Sequence, residues 1–272
     1  MRLIKQAVEI GNGAAVYVPR EYAGKEVEII IPEGIDEIKK RVLNKLINFM
    51  PNVLGIYLYG SYARNEQTKE SDIDILILTR EKDDKIKYIF EDIDIRVLTL
   101  EETNKAIESF PAIIIPILRE SISFVNPLLL EELKKRKFDL KKFIWHFDDT
   151  KRIIKIIEKF IEINEEEISN SHIYSLIMRI RVLYMIESLI KNKSFNNIDI
   201  KKILLNNGLS KRIYNKFYFI YNKIRNNEEP KDKINKNEIL ILIKIIKKYL
   251  GKIENETEKK IRKRNNLFRR AN

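Results

Sequence analysis

The chain has 272 residues, of which 44% are hydrophobic, and its formal net charge at pH 7 is +12. It contains no cysteine, which excludes disulfides and thiolate metal sites. Its two histidines, His146 and His172, lie too far apart in the sequence to suggest a zinc site, so any metal should be held by oxygen ligands. The longest apolar stretch, 110–118, is interrupted by two prolines and is too short to span a bilayer, and no signal peptide is evident. We therefore expect a soluble, cytoplasmic protein without a membrane partner.

The charge is distributed unevenly along the chain. Residues 1–35 sum to −1 and residues 36–126 to −3, whereas residues 127–272 carry 35 basic and 19 acidic residues, a sum of +16. Such an asymmetry predicts a polyanionic partner, such as nucleic acid, for the C-terminal half. The alternative is a lysine-rich sequence whose charges cover solvated helix faces.

The first predicted unit, 1–34, is a small β-hairpin. An alternating run ends at Ile10, a Gly-Asn-Gly turn follows at 11–13, and further strands are expected over 14–18 and 26–31. The pattern GNGAAVYVPREYAGKEVEIII resembles the swapped-hairpin DNA-binding modules of the AbrB type. The resemblance implies dimerisation or DNA contact. Because the charge here is balanced, a structural hairpin or a homodimer contact is favoured over DNA binding.

An amphipathic helix is predicted over 35–49, with apolar residues at spacings of three and four and Pro51 at its end. Two short apolar runs, 55–59 and 75–78, then predict buried strands. Between them lies the stretch GSYARNEQTKESDID, residues 60–74. The rest of the chain is expected to be organised around this stretch.

The stretch 60–74 combines a turn with two acids. Gly60 permits a tight turn, and Ser61 is expected to cap a short helix whose free N–H groups make a phosphate site. Asp72 and Asp74 are two residues apart, so both carboxylates should lie on one face of the second strand. The local sequence offers them only Arg64 and Lys69 as cations. Two desolvated acids without a partner favour a metal-ligand role.

At these residues the chain resembles the minimal nucleotidyltransferases of the DNA polymerase beta superfamily. Their signature is Gly-Ser, ten intervening residues and Asp-x-Asp, and Ala63 with Arg64 fits its extended form. The family pattern also asks for a third carboxylate on a neighbouring strand. Asp94, within the run 93–98, is our prediction, and Asp92 is the alternative because it shares the same face by alternation.

The resemblance implies a mechanism for these residues. Asp72 and Asp74 would hold one or two Mg²⁺ ions against the triphosphate of ATP or another nucleotide. Asp94 would complete the second metal site or take the proton of the acceptor hydroxyl. Gly60 and Ser61 would contact the β and γ phosphates. Arg64 would either add a cation there or be a solvated helix residue.

The predicted nucleotidyltransferase domain, 35–126, continues through a charged loop at 80–87 and the strand that carries Asp94. A helix over 99–108 should begin with a capping box of Thr99 and Glu102. A second helix over 111–119 and a short strand over 122–125 would close the mixed sheet, as is common in the family.

Beyond Pro127 the periodicity predicts an all-α bundle over 127–251. Helices are expected over 142–163, 173–190, about 213–224 and 237–250, with acidic residues at 165–167 ending the first and a break at 206–208. The helix over 173–190 is apolar on more than one side and should be the centre of the bundle. The aromatic stripe over 214–221 is interpreted as core, with base stacking as the alternative. The basic tail, 252–272, is predicted to be frayed or disordered.

The bundle loosely resembles the HEPN-type helical domains often found beside minimal nucleotidyltransferases. The triplet His-Ile-Tyr at 172–174 matches the second half of the motif of the nuclease members. The expected upstream arginine is absent from the window 164–167, so ribonuclease activity is not expected. His172 is interpreted as a residue of the helix start, and the bundle as a substrate-binding or packing domain.

These observations predict an α+β protein with a β-hairpin unit, a nucleotidyltransferase domain and a helical bundle. The function predicted from them is Mg²⁺-dependent transfer of a nucleoside monophosphate, AMP from ATP, to a hydroxyl of a protein or RNA acceptor. The alternatives are a non-catalytic protein that binds nucleic acid and retains a nucleotide pocket, and a partner in a toxin and antitoxin pair.

Overall fold

The structure is a computed structural model that describes residues 5, 7–29, 33–67, 71–163 and 168–271. The chain divides into two compact units, Met1–Gly34 and Ile35–Asn272.

The first unit contains a short antiparallel hairpin. Strands β1 (Val8–Ile10) and β2 (Gly13–Ala15) pair around the predicted turn, where Gly11 takes a φ of +56°. A 3₁₀ helix follows at Arg20–Tyr22. Residues 26–29 form no strand, and the end of the predicted third strand, 30–31, lies outside the described residues. The hairpin is therefore present, with shorter strands than the pattern predicts.

The second unit is built on a four-stranded mixed sheet. Its strands are β3 (Val53–Tyr59), β4 (Ile73–Thr79), β5 (Ile93–Thr99) and β6 (Ile122–Val125), in the order β5-β4-β3-β6. β4 and β5 run parallel, whereas β3 is antiparallel to both of its neighbours. The α+β prediction with a mixed sheet is confirmed.

Four helices belong to the sheet region: α1 (Ile35–Leu46), α2 (Gly60–Ala63), α3 (Leu100–Ser109) and α4 (Pro111–Glu120). The predicted capping box starts α3. The Glu102 N–H donates to Thr99 Oγ1 at 3.0 Å, and the Thr99 N–H donates to Glu102 Oε2 at 2.8 Å. Pro111 occupies the start of α4, where its missing N–H costs no helix hydrogen bond.

The helical region comprises α5 (Pro127–Lys134), α6 (Ile144–Ile163), α7 (Asn170–Lys191), α8 (Asn197–Asn206), α9 (Lys211–Arg225) and α10 (Lys236–Ala271). The predicted central helix is α7, which packs against α4, α6, α9 and α10. The sequence pattern did not predict α5 and α8 as helices. The acidic residues 165–167, expected to end α6, lie outside the described residues.

The final helix is longer than the pattern predicts. α10 continues to Ala271, so the segment expected to be frayed or disordered from Lys252 onward is helical. Ile253 and Thr257 are buried, and Ile261 packs against the core. The spacing of four between these residues gives the basic segment one face that packs on the bundle.

Two hydrophobic cores lie on opposite faces of the sheet. One joins α1 to alternate residues of the strands, such as Ile73, Ile75 and Ile77. The other joins the opposite sheet face to α4 and the helical region, from Tyr57 to Ile253. The predicted units 35–126 and 127–251 thus share one core. Within the described residues, no helix has the length and apolar character needed to traverse a bilayer.

Candidate active site

The turn between β3 and α2 can be formed only by glycine. Gly60 has a φ of +77°, and a methyl group on its Cα would lie 2.0 Å from Asp74 Oδ2. Its N–H donates to Glu120 Oε1 at 2.9 Å. The turn therefore rests directly against a carboxylate of the neighbouring strand, an approach that no Cβ would permit.

The strand register brings the predicted acids together. Asp74 of β4 lies opposite Tyr59 of β3 on one side and Asp94 of β5 on the other. Asp72 immediately precedes β4. Burial, together with the charges of Asp94 and Asp72, raises the pKa of Asp74 to about 6, although Arg225 and Arg64 act to lower it. Asp72, Asp74 and Asp94 thus concentrate negative charge around the partly buried Asp74 carboxylate.

The alternative third acid, Asp92, is engaged elsewhere. It precedes β5 and accepts a hydrogen bond from Arg41 Nη1 at 2.6 Å. Arg41 belongs to α1, the helix that packs on the face formed by Ile73 and Ile75, whereas Asp74 alternates to the other face. Asp94 is thus the strand neighbour of Asp74, whereas Asp92 is paired with Arg41, and the role of Asp94 as the third acid stays a prediction. In the part of the chain that the structure describes, no group of three or more acidic or histidine side chains is arranged to hold a metal ion.

The capping role expected of Ser61 is wrong. The residue at the N-cap of α2 is Tyr59, and no side chain caps this helix by a hydrogen bond. The reason is that Gly60 already has a place in the helix, so Ser61 lies inside the first turn rather than ahead of it.

Arg64 is neither solvated nor directed at an open phosphate site. Its side chain is 13% exposed, and its guanidinium donates to Glu66 Oε2 at 2.9 Å and to Glu120 Oε2 at 2.7 Å. Glu66 in turn accepts hydrogen bonds from the backbone N–H and the Nδ2 of Asn197 in α8, at 3.1 and 3.0 Å. Arg64 therefore fixes α2 to α4 and to the helical region.

Glu120 is a site residue that sequence reasoning missed. Its carboxylate joins the Gly60 N–H to Arg64, and burial raises its pKa while the bonds from Arg64 and Gly60 lower it. It lies 60 residues from Gly60 in the chain, at the end of an apolar helix. No local signal marks it, because its role depends on where α4 ends relative to the turn.

Arg225, also missed, supplies a cationic partner for Asp72 from a distant part of the chain. Its Nη2 lies 3.4 Å from Asp72 Oδ2, across 153 residues of sequence. Both side chains are about half exposed, so the pair contributes little stability. The ion pair matters because it places a cation from the end of α9 beside the acids. Lys69, the other expected local cation, lies outside the described residues.

The aromatic stripe of α9 is core, as predicted. Tyr214, Phe217 and Tyr221 are buried, and the Tyr214 and Tyr218 rings stack at 5.0 Å. His172 lies in the first turn of α7 against the Phe160 ring, at 4.6 Å, and burial lowers its pKa. The window 164–167, where the nuclease motif would need an arginine, lies outside the described residues.

Comparison with curated proteins adds two partial matches from Methanocaldococcus jannaschii. The chain is 46% identical over 56 residues to "Putative protein adenylyltransferase MJ0128", which covers 20% of this chain and 57% of that protein. It is 66% identical over 29 residues to "Putative protein adenylyltransferase MJ1547", which covers 11% of this chain and 24% of that protein. The chain thus matches about half of the length of the first relative and a quarter of the second.

Among solved structures, the chain is similar to the spectinomycin adenyltransferase AAD(9) from Enterococcus faecialis, crystallised with ATP and spectinomycin. The TM-score is 0.45 at 14% identity, over 80% of this chain and 100% of that one. Residues 35–183 match the nucleotidyltransferase domain family, and the match runs from α1 through the sheet into α7. Because this match covers more than half of the chain, the protein belongs to the nucleotidyltransferase domain family.

Proposed function

We propose that this protein transfers AMP from ATP to a hydroxyl group of a protein. The observation that carries the proposal is the lateral pair of Asp74 and Asp94 beside the Gly60 turn, in a member of the nucleotidyltransferase domain family. The names of the curated relatives support a protein acceptor.

In the proposed reaction the acceptor oxygen attacks the α phosphorus of ATP. A new P–O bond forms to the acceptor, the bond to the leaving pyrophosphate breaks, and the acceptor proton passes to a base. Asp94 is our candidate for that base, because it is exposed and lies beside Asp74 in the register. Asp72, also exposed, lies just before β4, and the alternation of side chains places it on the same face of the sheet as Asp74.

The donor set at this place fits Mg²⁺. Mg²⁺ in nucleotide sites is commonly held by one or two carboxylates together with substrate phosphates and water, so a protein cluster of three ligands is not required. Asp72, Asp74 and Asp94 are our candidates to hold one or two ions. Burial raises the pKa of Asp74, the charges of Asp94 and Asp72 add to that rise, and a cation there would relieve the repulsion among the three acids. When bound, the metal would neutralise the charge that develops on the phosphates.

For the triphosphate we propose contacts with Gly60 and Ser61 at the start of α2. Arg64 stays in the proposed site as the residue that holds Glu120 against the Gly60 N–H. Arg225, close to Asp72, is in a position to add a cation to the phosphates. When the nucleotide binds, its anionic oxygens would replace Glu120 at the Gly60 N–H and Asp72 at Arg225.

RNA is the second candidate acceptor, because residues 127–272 sum to +16. That the hairpin of 1–34 is AbrB-like and mediates a homodimer, and that the helical region is HEPN-like, remain proposals. So does a role as a non-catalytic nucleic-acid-binding protein or as a partner in a toxin and antitoxin pair.

The test is incubation of the protein with ATP labelled in the α phosphate, Mg²⁺ and a total cell extract. We expect label in a protease-sensitive product, and no label when the metal is chelated or when Asp72 is replaced in the variant Asp72→Asn. The matched control Asp92→Asn removes an acid of similar sequence position and should retain transfer. Label in a ribonuclease-sensitive product would move the acceptor to RNA, and transfer persisting in a folded Asp72→Asn variant would reject the mechanism. Salt-dependent nucleic-acid binding without pyrophosphate release would favour the non-catalytic alternative.

A further inference from the structure

A cavity of about 340 Å³ lies between the end of α4, the end of α5, and the end of α7 with the connection that follows it. Its volume is in the range of pockets that take small molecules. Six of the residues that line it bear on its chemistry: Arg119, Glu120, Lys134, Ser188, Lys193 and Phe195. It lies outside the group of acids formed by Asp72, Asp74 and Asp94.

The cavity has an excess of positive charge. Three of its lining residues, Arg119, Lys134 and Lys193, are cations, and Glu120 is an acid. Lys134 also pairs with Glu131, its Nζ lying 2.9 Å from Glu131 Oε1, so the excess charge rests mainly on Arg119 and Lys193. The Glu120 carboxylate already bonds to Arg64 and to the Gly60 N–H, so its charge is compensated from the side of the turn.

Arg119 is the most informative of these cations. It is half-buried, burial lowers its pKa, and no acidic group among the described residues lies within ion-pair distance of it. A partly desolvated guanidinium without a counter-ion is costly in a folded protein. An anion in the cavity would remove that cost.

The end of α7 does not account for the cations. A helix C-terminus attracts positive charge through its free carbonyl groups. Here the Lys193 N–H bonds to the Ser188 carbonyl at 2.8 Å and the Asn192 N–H to the Leu189 carbonyl at 3.4 Å, so these groups are already satisfied.

Ser188 also lines the cavity, but its hydroxyl is buried. The residue is 3% exposed, and its Oγ lies close to the Tyr184 hydroxyl, which donates to Asp199 at 3.0 Å. The groups that can contact a ligand in the cavity are therefore the cationic side chains.

We propose that this cavity is a binding site for a small ligand that carries a phosphate group. Phosphate has the charge and the several acceptor oxygens that the Arg119 guanidinium and the Lys193 ammonium can satisfy, with Lys134 beside them. The volume suits a small phosphate ester or free phosphate and is too small for a nucleic-acid strand. Because Glu120 lines the cavity and also holds the Gly60 N–H, the ligand would lie one side chain from the turn of the active site.

The test is calorimetric titration of the full chain in a phosphate-free buffer with inorganic phosphate, with glycerol 3-phosphate and with glycerol. We expect both phosphate compounds to bind and glycerol not to bind. Arg119→Gln should weaken that binding at least about tenfold, as expected for the loss of one charge-assisted hydrogen bond. Lys193→Gln, a change at an exposed position, should also weaken phosphate binding, and it provides the test if Arg119→Gln fails to fold. Tighter binding of the ester than of phosphate would show that the cavity also holds the body of the ligand, and equal binding that it holds the phosphate alone.

Two control variants make the result specific. Arg80→Gln removes the same charge from an exposed position at the other end of β4 from Asp74, and should leave phosphate binding unchanged. Asp72→Asn, which tests the transfer reaction, should also leave it unchanged, so this proposal and the transfer proposal can fail separately. Absence of binding, or binding that Arg119→Gln and Lys193→Gln do not weaken, would overturn the site.

Discussion

Replacement of Gly60 by alanine tests the geometry on which the active site depends. At a φ of +77°, the added methyl would lie 2.0 Å from Asp74 Oδ2, 2.8 Å from its Cγ and 3.2 Å from its Cβ. The first two distances are far inside van der Waals contact, so either the Asp74 side chain or the turn must move. The first movement displaces the carboxylate from Asp94, and the second displaces the start of α2 from the carboxylate.

Two effects of Gly60→Ala can be given magnitudes. An alanine held at positive φ should lower the free energy of unfolding by about 2 kcal/mol. For a unit of this size that corresponds to a fall in Tm of roughly 4–8 °C. Displacement of the Asp74 carboxylate, a proposed metal ligand, by about 1 Å should slow transfer by about 100-fold or more.

The assay is AMP transfer from α-labelled ATP, measured together with thermal unfolding. The matched control is Gly208→Ala, because Gly208 has a φ of +102° and open space within 4 Å of the added methyl. It should show a similar loss of Tm with transfer intact. If Gly60→Ala retains the transfer rate of the wild type, or if Gly208→Ala loses as much, the contact with Asp74 does not control the reaction.

Three further outcomes are expected. Asp92→Asn should leave the rate of transfer within about twofold of the wild type, because Asp92 pairs with Arg41 and lies outside the pair of Asp74 and Asp94. In a quantitative transfer assay, a loss as large as that of Asp72→Asn would contradict this placement. Glu120→Gln should weaken the ion pair with Arg64 and lower the free energy of unfolding, measured in urea, by about 1–3 kcal/mol. A change close to zero would show that Glu66 alone is enough to fix Arg64 in place. Burial would raise the pKa of Glu187, but its hydrogen bonds lower it to about 2, so its contribution is complete above the unfolded pKa and is lost as pH falls toward 2. Thermal unfolding between pH 5 and 2 should therefore be less steeply pH-dependent in Glu187→Gln than in the wild type, and parallel curves would refute this.

Local patterns in the sequence were sufficient for much of the fold. The capping box of Thr99 and Glu102 is formed by residues three apart, and the two-sided apolar pattern of α7 gave its central place in the bundle. The strands around the stretch 60–74 could be found because alternation and burial repeat every two residues. The helical spacing of apolar residues is less regular in α5, in α8 and in the last part of α10. For this reason α5 and α8 were not predicted, and α10 was expected to end near residue 250.

By itself, the sequence predicted that Asp72 and Asp74 lie at the start of the strand after the glycine turn, and it predicted the nucleotidyltransferase family to which the chain belongs. Only the tertiary structure decided which residues meet them. Arg225 reaches Asp72 across 153 residues, and Glu120 reaches the Gly60 N–H across 60. The physical reason is that spacing along a strand or helix fixes which face a side chain takes, whereas the contact it makes there depends on how distant elements pack, and that packing leaves no local pattern.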